Sequence, residues 1–292
     1  MGDKQILTIK FAEIVVRFYF PEKIGIPTEL VPYIYEDTKS PDVEYEICLL
    51  ERPLDLSENA VASVAGMEIY QYKKGWIRVF KALKEKNGCQ VACFIRENGR
   101  HILYYPASKW KFYAEEFHFL HLIAIEEILI RKDAFLLHSS LVMLNGQAVL
   151  FSGPSGIGKS TQAELWKKCL GAEILNGDRC VIRKMDDKFY GCGSPWCGTS
   201  GIYRKEYAPI KGIFVLKQAS ENTVRRLKIE AFLNMYQQSI INTWNKKFLA
   251  KISDLIANLA DQIPVYELSC RPDEDAVMMA YQTVFGEEIE YG

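Results

Sequence analysis

The sequence predicts an α/β protein with α+β character: a β-rich N-terminal region over residues 1–112, and over 113–292 a domain built around a phosphate-binding loop. Three observations predict it. Short alternating or apolar runs dominate the N-terminal region. A complete GxxxxGK[ST] element runs from Gly153 to Ser160. Beyond it, strand-like and helix-like periods alternate.

The elements follow in order. Residues 5–16, 43–50 and 75–80 read as strands, and Asn98-Gly99 supplies the positive-φ pair of a two-residue hairpin turn between runs within 89–106. Phe117, Leu120, Ile123, Ala124 and Ile128 recur at a helical period, which predicts a helix over 114–131. Strands over 135–143 and 147–151 flank a second hairpin dipeptide, Asn145-Gly146, and the second strand enters the glycine-rich loop. A helix over 160–169 follows, then an extended run over 173–184 and a turn at Asp186-Asp187. A Gly/Pro-rich segment over 191–201 leads to a buried strand at 210–216. Helices over 229–244 and 245–260, a strand over 265–269 and a helix over 273–284 complete the chain, with no internal repeat.

Of the 292 residues, 49% are hydrophobic and 25% charged, enough apolar material for a substantial core. Thirty-six basic residues balance thirty-seven acidic ones, so no global field points to nucleic acid or an anionic membrane as partner. Lys4, Lys10, Glu13 and Arg17 interrupt the apolar N-terminus, and no stretch reaches the roughly 18 apolar residues of a membrane helix. Cytoplasmic localisation is therefore expected. The eight cysteines, at 48, 89, 93, 169, 180, 192, 197 and 270, form no CxxC pair and read as reduced thiols, with Cys89 and Cys93 on one face of a strand.

The chemistry-bearing motif is Gly153-Pro154-Ser155-Gly156-Ile157-Gly158-Lys159-Ser160, followed by Thr161. Glycines let backbone N–H groups turn onto a phosphate, and the following helix presents its positive end to the same anion. These nine residues are the expected binding site for ATP, or another nucleoside triphosphate, with Mg²⁺. Lys159 would reach the β- and γ-phosphates, and Ser160 would place its hydroxyl on Mg²⁺. Asp178, in EILNGDRCVI, is the candidate carboxylate for the metal or for base catalysis. Asp186 and Asp187 read as a solvated hairpin tip.

His138 in LLHSSLV, the loop GPSGIGKS and the segment LNGDRCVI together resemble the catalytic domain of HPr kinase/phosphorylase, a family related to the ATP-type phosphoenolpyruvate carboxykinases. The resemblance covers roughly residues 130 to 270 and leaves the role of the N-terminal region open. It implies a P-loop kinase fold for 113–292 and a Mg-ATP-dependent kinase acting on a hydroxyl, serine of a peptide or small protein. Asp178, Lys159 and His138 are then the catalytic residues. His138 would hydrogen-bond a phosphate or assist proton transfer; on spacing alone, a core histidine is the alternative. Trp196, Gly198, Arg204 and Lys205 fall where the family approaches its acceptor; a loop with one anchoring aromatic and a solvated basic pair is the alternative. Arg225 and Arg226 read as helix-surface charges or as a charge-stabilising arginine.

One departure matters. Bifunctional family members carry two adjacent acids where this chain has Gly177-Asp178, which puts phosphorolysis in doubt. Kinase-like homologues associated with ribosomally made, modified peptides resemble the pattern more loosely, including the GDR and PWCG segments. A non-catalytic nucleotide-binding regulatory module and a small-molecule kinase, for example of free serine, are the alternative functions. A homo-oligomer is open.

Overall fold

A computed structural model describes residues 4–36, 40–56, 59–64, 66–80, 91–115 and 118–286. The chain divides into two compact units, Met1–Ile128 and Leu129–Gly292. The sequence places the boundary near residues 110 to 130, with 112/113 as the division, and the two units part within that stretch. Both units are mixed in character, each built on one large sheet with few helices.

In the first unit, β1 (Gln5–Phe11), β2 (Ile14–Phe20), β3 (Val43–Leu50), β4 (Ala62–Val64), β5 (Met67–Gln71), β6 (Gly75–Phe80), β7 (Ala92–Arg96) and β8 (His101–Pro106) form a sheet ordered β1-β2-β3-β8-β7-β6-β5-β4. The run expected as one strand over 5–16 is a hairpin, because Ala12 and Glu13 take positive φ and turn Ile14 back onto Phe11. Conversely, only Gly99 takes positive φ between β7 and β8, so that connection is a four-residue loop rather than a two-residue turn. Cys93 is buried, while Cys89 lies outside the described residues.

The helix expected over 114–131 is also divided, into α1 (Trp110–Glu115), α2 (His118–Leu122) and α3 (Ile125–Leu129), followed by a 3₁₀ turn at Ile130–Lys132. Ala124 breaks it with a left-handed φ of 48°. The Tyr45 hydroxyl donates to the Ile123 carbonyl that the helix thereby releases. Phe119 packs edge-on against Phe18 at 4.9 Å.

The second unit contains β9 (Ala134–Leu144), β10 (Gln147–Ser152), α4 (Lys159–Leu170), β11 (Glu173–Asn176), β12 (Arg179–Met185), β13 (Lys188–Cys192), β14 (Tyr207–Gln218), β15 (Thr223–Arg226), α5 (Ile229–Gln237), α6 (Lys246–Gln262), β16 (Val265–Cys270) and α7 (Glu274–Phe285). The sheet runs β10-β9-β12-β13-β14-β16-β15, and β11 also pairs with β9. β10 pairs in parallel with β14 as well as antiparallel with β9, so the pairings β9-β12-β13-β14-β10 close on themselves.

Strand periodicity sorts the core of this unit. On β10, Ala148 and Leu150 join a cluster with Phe248, Ile252 and Ile256 of α6, while Val149 and Phe151 join Ala163 and Trp166 of α4 and Val277 and Ala280 of α7. A strand buried on both faces reads as an unbroken apolar run, which is what precedes the loop. Asn145 and Gly146 both take positive φ, as do Asp186 and Asp187, and each pair turns a tight hairpin.

The helix expected over 229–244 ends at Gln237, because the Gln238 carbonyl accepts the His138 N–H at 2.9 Å and Ser239 bridges to Leu137. α6 restarts at Lys246, capped by the Asn245 side chain, which accepts the Phe248 N–H. Among the described residues, no helix is long and apolar enough to cross a membrane.

Candidate functional site

β14 runs parallel to both β10 and β16, so the C-terminal ends of the three lie on one side of the sheet, at Ser152, Gln218 and Cys270. β10 passes directly into the loop 153–158. Gly153, Gly156 and Gly158 take φ of 146°, 78° and 114°, a region that excludes most side chains and fixes where the loop requires glycine. The Ile157 N–H donates to the Pro154 carbonyl, and the Gln162 N–H donates to the Gly158 carbonyl at the start of α4. Gln218 Nε2 approaches the Gly156 and Ile157 carbonyls at 3.4 and 3.5 Å.

Lys159 is the first residue of α4 and is buried. Its Nζ donates to the Gly153 and Pro154 carbonyls at 3.0 Å each, which folds the ammonium back over the loop. Burial lowers its pKa from the ordinary 10.5, with the Asp178 charge acting in the opposite direction.

Asp178 owes its position to a register jump. β11 and β12 both pair with β9, but Asn176 faces Leu141 whereas Arg179 faces His138 and Ser139, so Gly177 and Asp178 bulge from the ladder. The Ser139 N–H donates to the Asp178 carbonyl at 2.9 Å and the Ser140 hydroxyl to the Gly177 carbonyl at 3.2 Å, which satisfies the bulged backbone. The extended run expected over 173–184 is therefore interrupted at the candidate carboxylate.

His138 stands on β9, its backbone tied to Gln238 through its N–H and to the Ser152 hydroxyl through its carbonyl. Its Nε2 lies 3.4 Å from Asp178 Oδ1, and Arg179 Nε lies 3.8 Å from Oδ2. The hydrogen bond from His138 holds the Asp178 pKa below its ordinary 3.8, Arg179 and Lys159 add to that, and burial opposes it.

A cavity of about 260 Å³ brings His138, Lys159, Ser160, Thr161, Asp178 and Ser200 together with Ser155, Gly156 and Gly158 of the loop. Gly153, Pro154 and Ile157 do not line it; they carry the backbone behind it. The oxygen donors on the cavity lining that could hold a cation include the Asp178 carboxylate and the Ser160 hydroxyl. Among the described residues there is no cluster of three or more His, Cys, Asp or Glu that could hold a metal ion. Oxygen donors this few suit a hard cation such as Mg²⁺, which takes its remaining ligands from water and phosphate.

The acceptor-side candidates separate. Gly198, at φ 54°, lies against Asp178: a Cβ there would sit 2.7 Å from the carboxyl carbon. Trp196 is buried, and its carbonyl accepts Asn176 Nδ2, so it anchors the loop. Arg204 pairs with Glu173 at 2.8 Å, and neither it nor the exposed Lys205 lines the cavity. Arg225 and Arg226 lie on strand β15, not on a helix; Arg225 pairs with Glu230 and Glu267, and Arg226 stacks on Tyr266.

Spacing missed two contributors. Ser200 lines the cavity and packs on Gly177, where a Cβ would meet its Oγ at 2.2 Å, so a side chain at that position would have to displace Ser200. Asn176 is a buried amide beneath the bulge; an Asn two residues before Asp178 is the signature of an Asx-turn and was the available signal.

A family model described as "SynChlorMet cassette protein ScmC" matches residues 119–273, more than half of the chain. The chain belongs to the ScmC family. The matched stretch contains all the cavity-lining residues of this ScmC-family chain, from His138 to Ser200. No curated protein matches it. Among solved structures, the Hpr(Ser) kinase/phosphatase from Coxiella burnetii is similar at 12% identity, covering 51% of this chain and 93% of that chain with a TM-score of 0.30, too loose a likeness to carry an inference.

Proposed function

We propose that this ScmC-family chain is a nucleotide-dependent phosphotransferase that holds ATP, or another nucleoside triphosphate, with Mg²⁺ in the loop 153–160 and passes the γ-phosphoryl to a hydroxyl, serine of a peptide or small protein. One observation carries the reading. Three separate stretches, β9, the loop with the first turn of α4, and the bulge between β11 and β12, deliver His138, Lys159 with Ser160, and Asp178 to one polar cavity.

The residues divide the work. Backbone N–H groups of the loop and the N-terminus of α4 bind phosphate, with Lys159 adding a full positive charge. Ser160 and Asp178 supply oxygen to the cation. When bound, the Mg-nucleotide supplies an activated phosphoryl group whose charge the metal partly neutralises. Asp178, ionised at neutral pH, accepts the proton of the attacking hydroxyl, and His138 fixes the orientation of that carboxylate.

Calorimetry with Mg-ATP and Mg-GTP tests the first half of this reading. Wild-type chain is expected to bind one of them, and Lys159→Ala to weaken that binding at least tenfold, about 1.4 kcal/mol. Equal affinity in the two proteins would refute the assignment of the loop. Incubation with labelled nucleotide and either serine-containing peptides or free serine tests the second half, since the labelled product identifies the acceptor. Gly177 beside Asp178 leaves a single carboxylate, which favours a second reading: a nucleotide-binding module that switches a partner and transfers nothing. Tight nucleotide binding with no turnover toward any of these acceptors would select it.

A further inference from the structure

We propose that Asn176 is a positioning residue that holds the Asp178 carboxylate and the loop 193–201 in one register; the role rests on the reading of Asp178 as the proton acceptor. Asn176 ends β11 and is completely buried, with 0% of its surface exposed. Its Oδ1 accepts the Asp178 N–H at 2.9 Å, an Asx-turn that sets the backbone from which the carboxylate projects. Its Nδ2 faces the Ser194 carbonyl at 3.0 Å, the Ser194 hydroxyl at 3.2 Å and the Trp196 carbonyl at 3.2 Å.

Ser194, also fully buried, closes the circuit by donating its hydroxyl to the Arg179 carbonyl. The amide of Asn176 and the hydroxyl of Ser194 thus tie residues 194–196 to the backbone on both sides of Asp178. Downstream, Gly198 and Ser200 press on Asp178 and Gly177 at distances that leave no room for an added Cβ. A loop so close to the carboxylate cannot shift without moving it.

Packing alone does not account for an amide here. Its neighbours on β11, Ile174 and Leu175, are buried and apolar, and an apolar residue would fill the position without the cost of desolvating an amide. That cost is offset only by the bonds the amide makes, and all of them go to Asp178 or to the loop over it. The structure therefore assigns Asn176 to the geometry of the site rather than to filling the core.

The test compares wild type, Asn176→Ala and Asn176→Ser for Mg-ATP affinity by calorimetry and for cleavage of Mg-ATP with water as acceptor, with thermal melting to verify folding. Asn176→Ala is expected to keep its affinity within about threefold while cleavage falls about 10- to 100-fold, the scale of an ångström-level misplacement. Asn176→Ser, whose hydroxyl can accept the same N–H in an ST-turn, is expected to recover part of that loss. Ser194→Ala keeps the Asx-turn and loosens only the loop, so it serves as second variant should Asn176→Ala not fold; a fall in cleavage at retained affinity is expected there too. Cleavage at wild-type rates in Asn176→Ala, or parallel loss of affinity and cleavage in every folded variant, overturns the role. Wild-type chain that binds Mg-ATP yet passes its γ-phosphoryl neither to water nor to serine-containing peptides or free serine removes the role of Asp178 as proton acceptor, and wild-type chain that does not bind it removes the nucleotide reading as well; should wild type cleave only with a serine acceptor, the variants are compared on that acceptor, and the positioning role falls with either failure.

Discussion

Asp178 and Lys159 share one cavity under opposed electrostatics. Burial works against charge on both; for the carboxylate the hydrogen bond from His138, with the charges of Arg179 and Lys159, outweighs it, whereas for Lys159 burial prevails. The sign for Asp178 is clear: its folded pKa lies below 3.8, so the ionised form favours the native state. That contribution is present above the unfolded value and disappears as pH falls through the folded one. Melting temperatures of wild type and Asp178→Asn should therefore converge as the pH falls below the ordinary carboxylate value of 3.8 and through the lower folded one. In the transfer assay, Asp178→Asn should lose about 10²- to 10⁴-fold in rate, and wild type should show no acid limb from this group between about pH 5 and 7. An acid limb centred near pH 6 in wild type, absent from Asp178→Asn, would contradict the depressed pKa.

Among elements, the loop between β10 and α4 and the bulge between β11 and β12 were not equally legible. The loop is local: its glycines, its lysine and the helix it starts occupy consecutive positions, so its conformation follows from one stretch of sequence. Asp178 was visible as a residue, but its projection depends on where β11 and β12 each register against β9. Only the family resemblance placed the loop 193–201 near the acceptor; its own residues carried no sign that it would meet Asp178. It reaches Asp178 through Asn176, whose place two residues before Asp178 signals an Asx-turn but not the loop, and through Ser194, which stands out neither by type nor by spacing. Gly198→Ala tests that contact. An added Cβ would sit 2.7 Å from the carboxyl carbon at a left-handed φ, so transfer should fall steeply while Mg-ATP affinity, set by the loop 153–160, changes little. Unchanged transfer would show that the loop yields and the carboxylate does not.

Taken whole, the chain is two units, each organised on its own sheet. In the second, Trp166 of α4 is fully buried and packs edge-on against Phe151 at 5.4 Å, so the helix that begins with Lys159 is held down on the strand that feeds the loop. Trp166→Ala should cost about 3–5 kcal/mol of stability, read from denaturant unfolding, and should weaken nucleotide binding only as far as the helix loosens. The sequence by itself determined the mixed α/β class, the phosphate-binding loop, the tight turn at Asn145-Gly146 and the identity of the charged residues at the site, because each is written in a short window. Tertiary structure alone decided the break at Ala124, the early end of α5 and the meeting of His138, Asp178 and Ser200. Those features depend on which distant carbonyl a given N–H meets, and register between strands far apart in sequence is fixed only when the whole sheet is assembled.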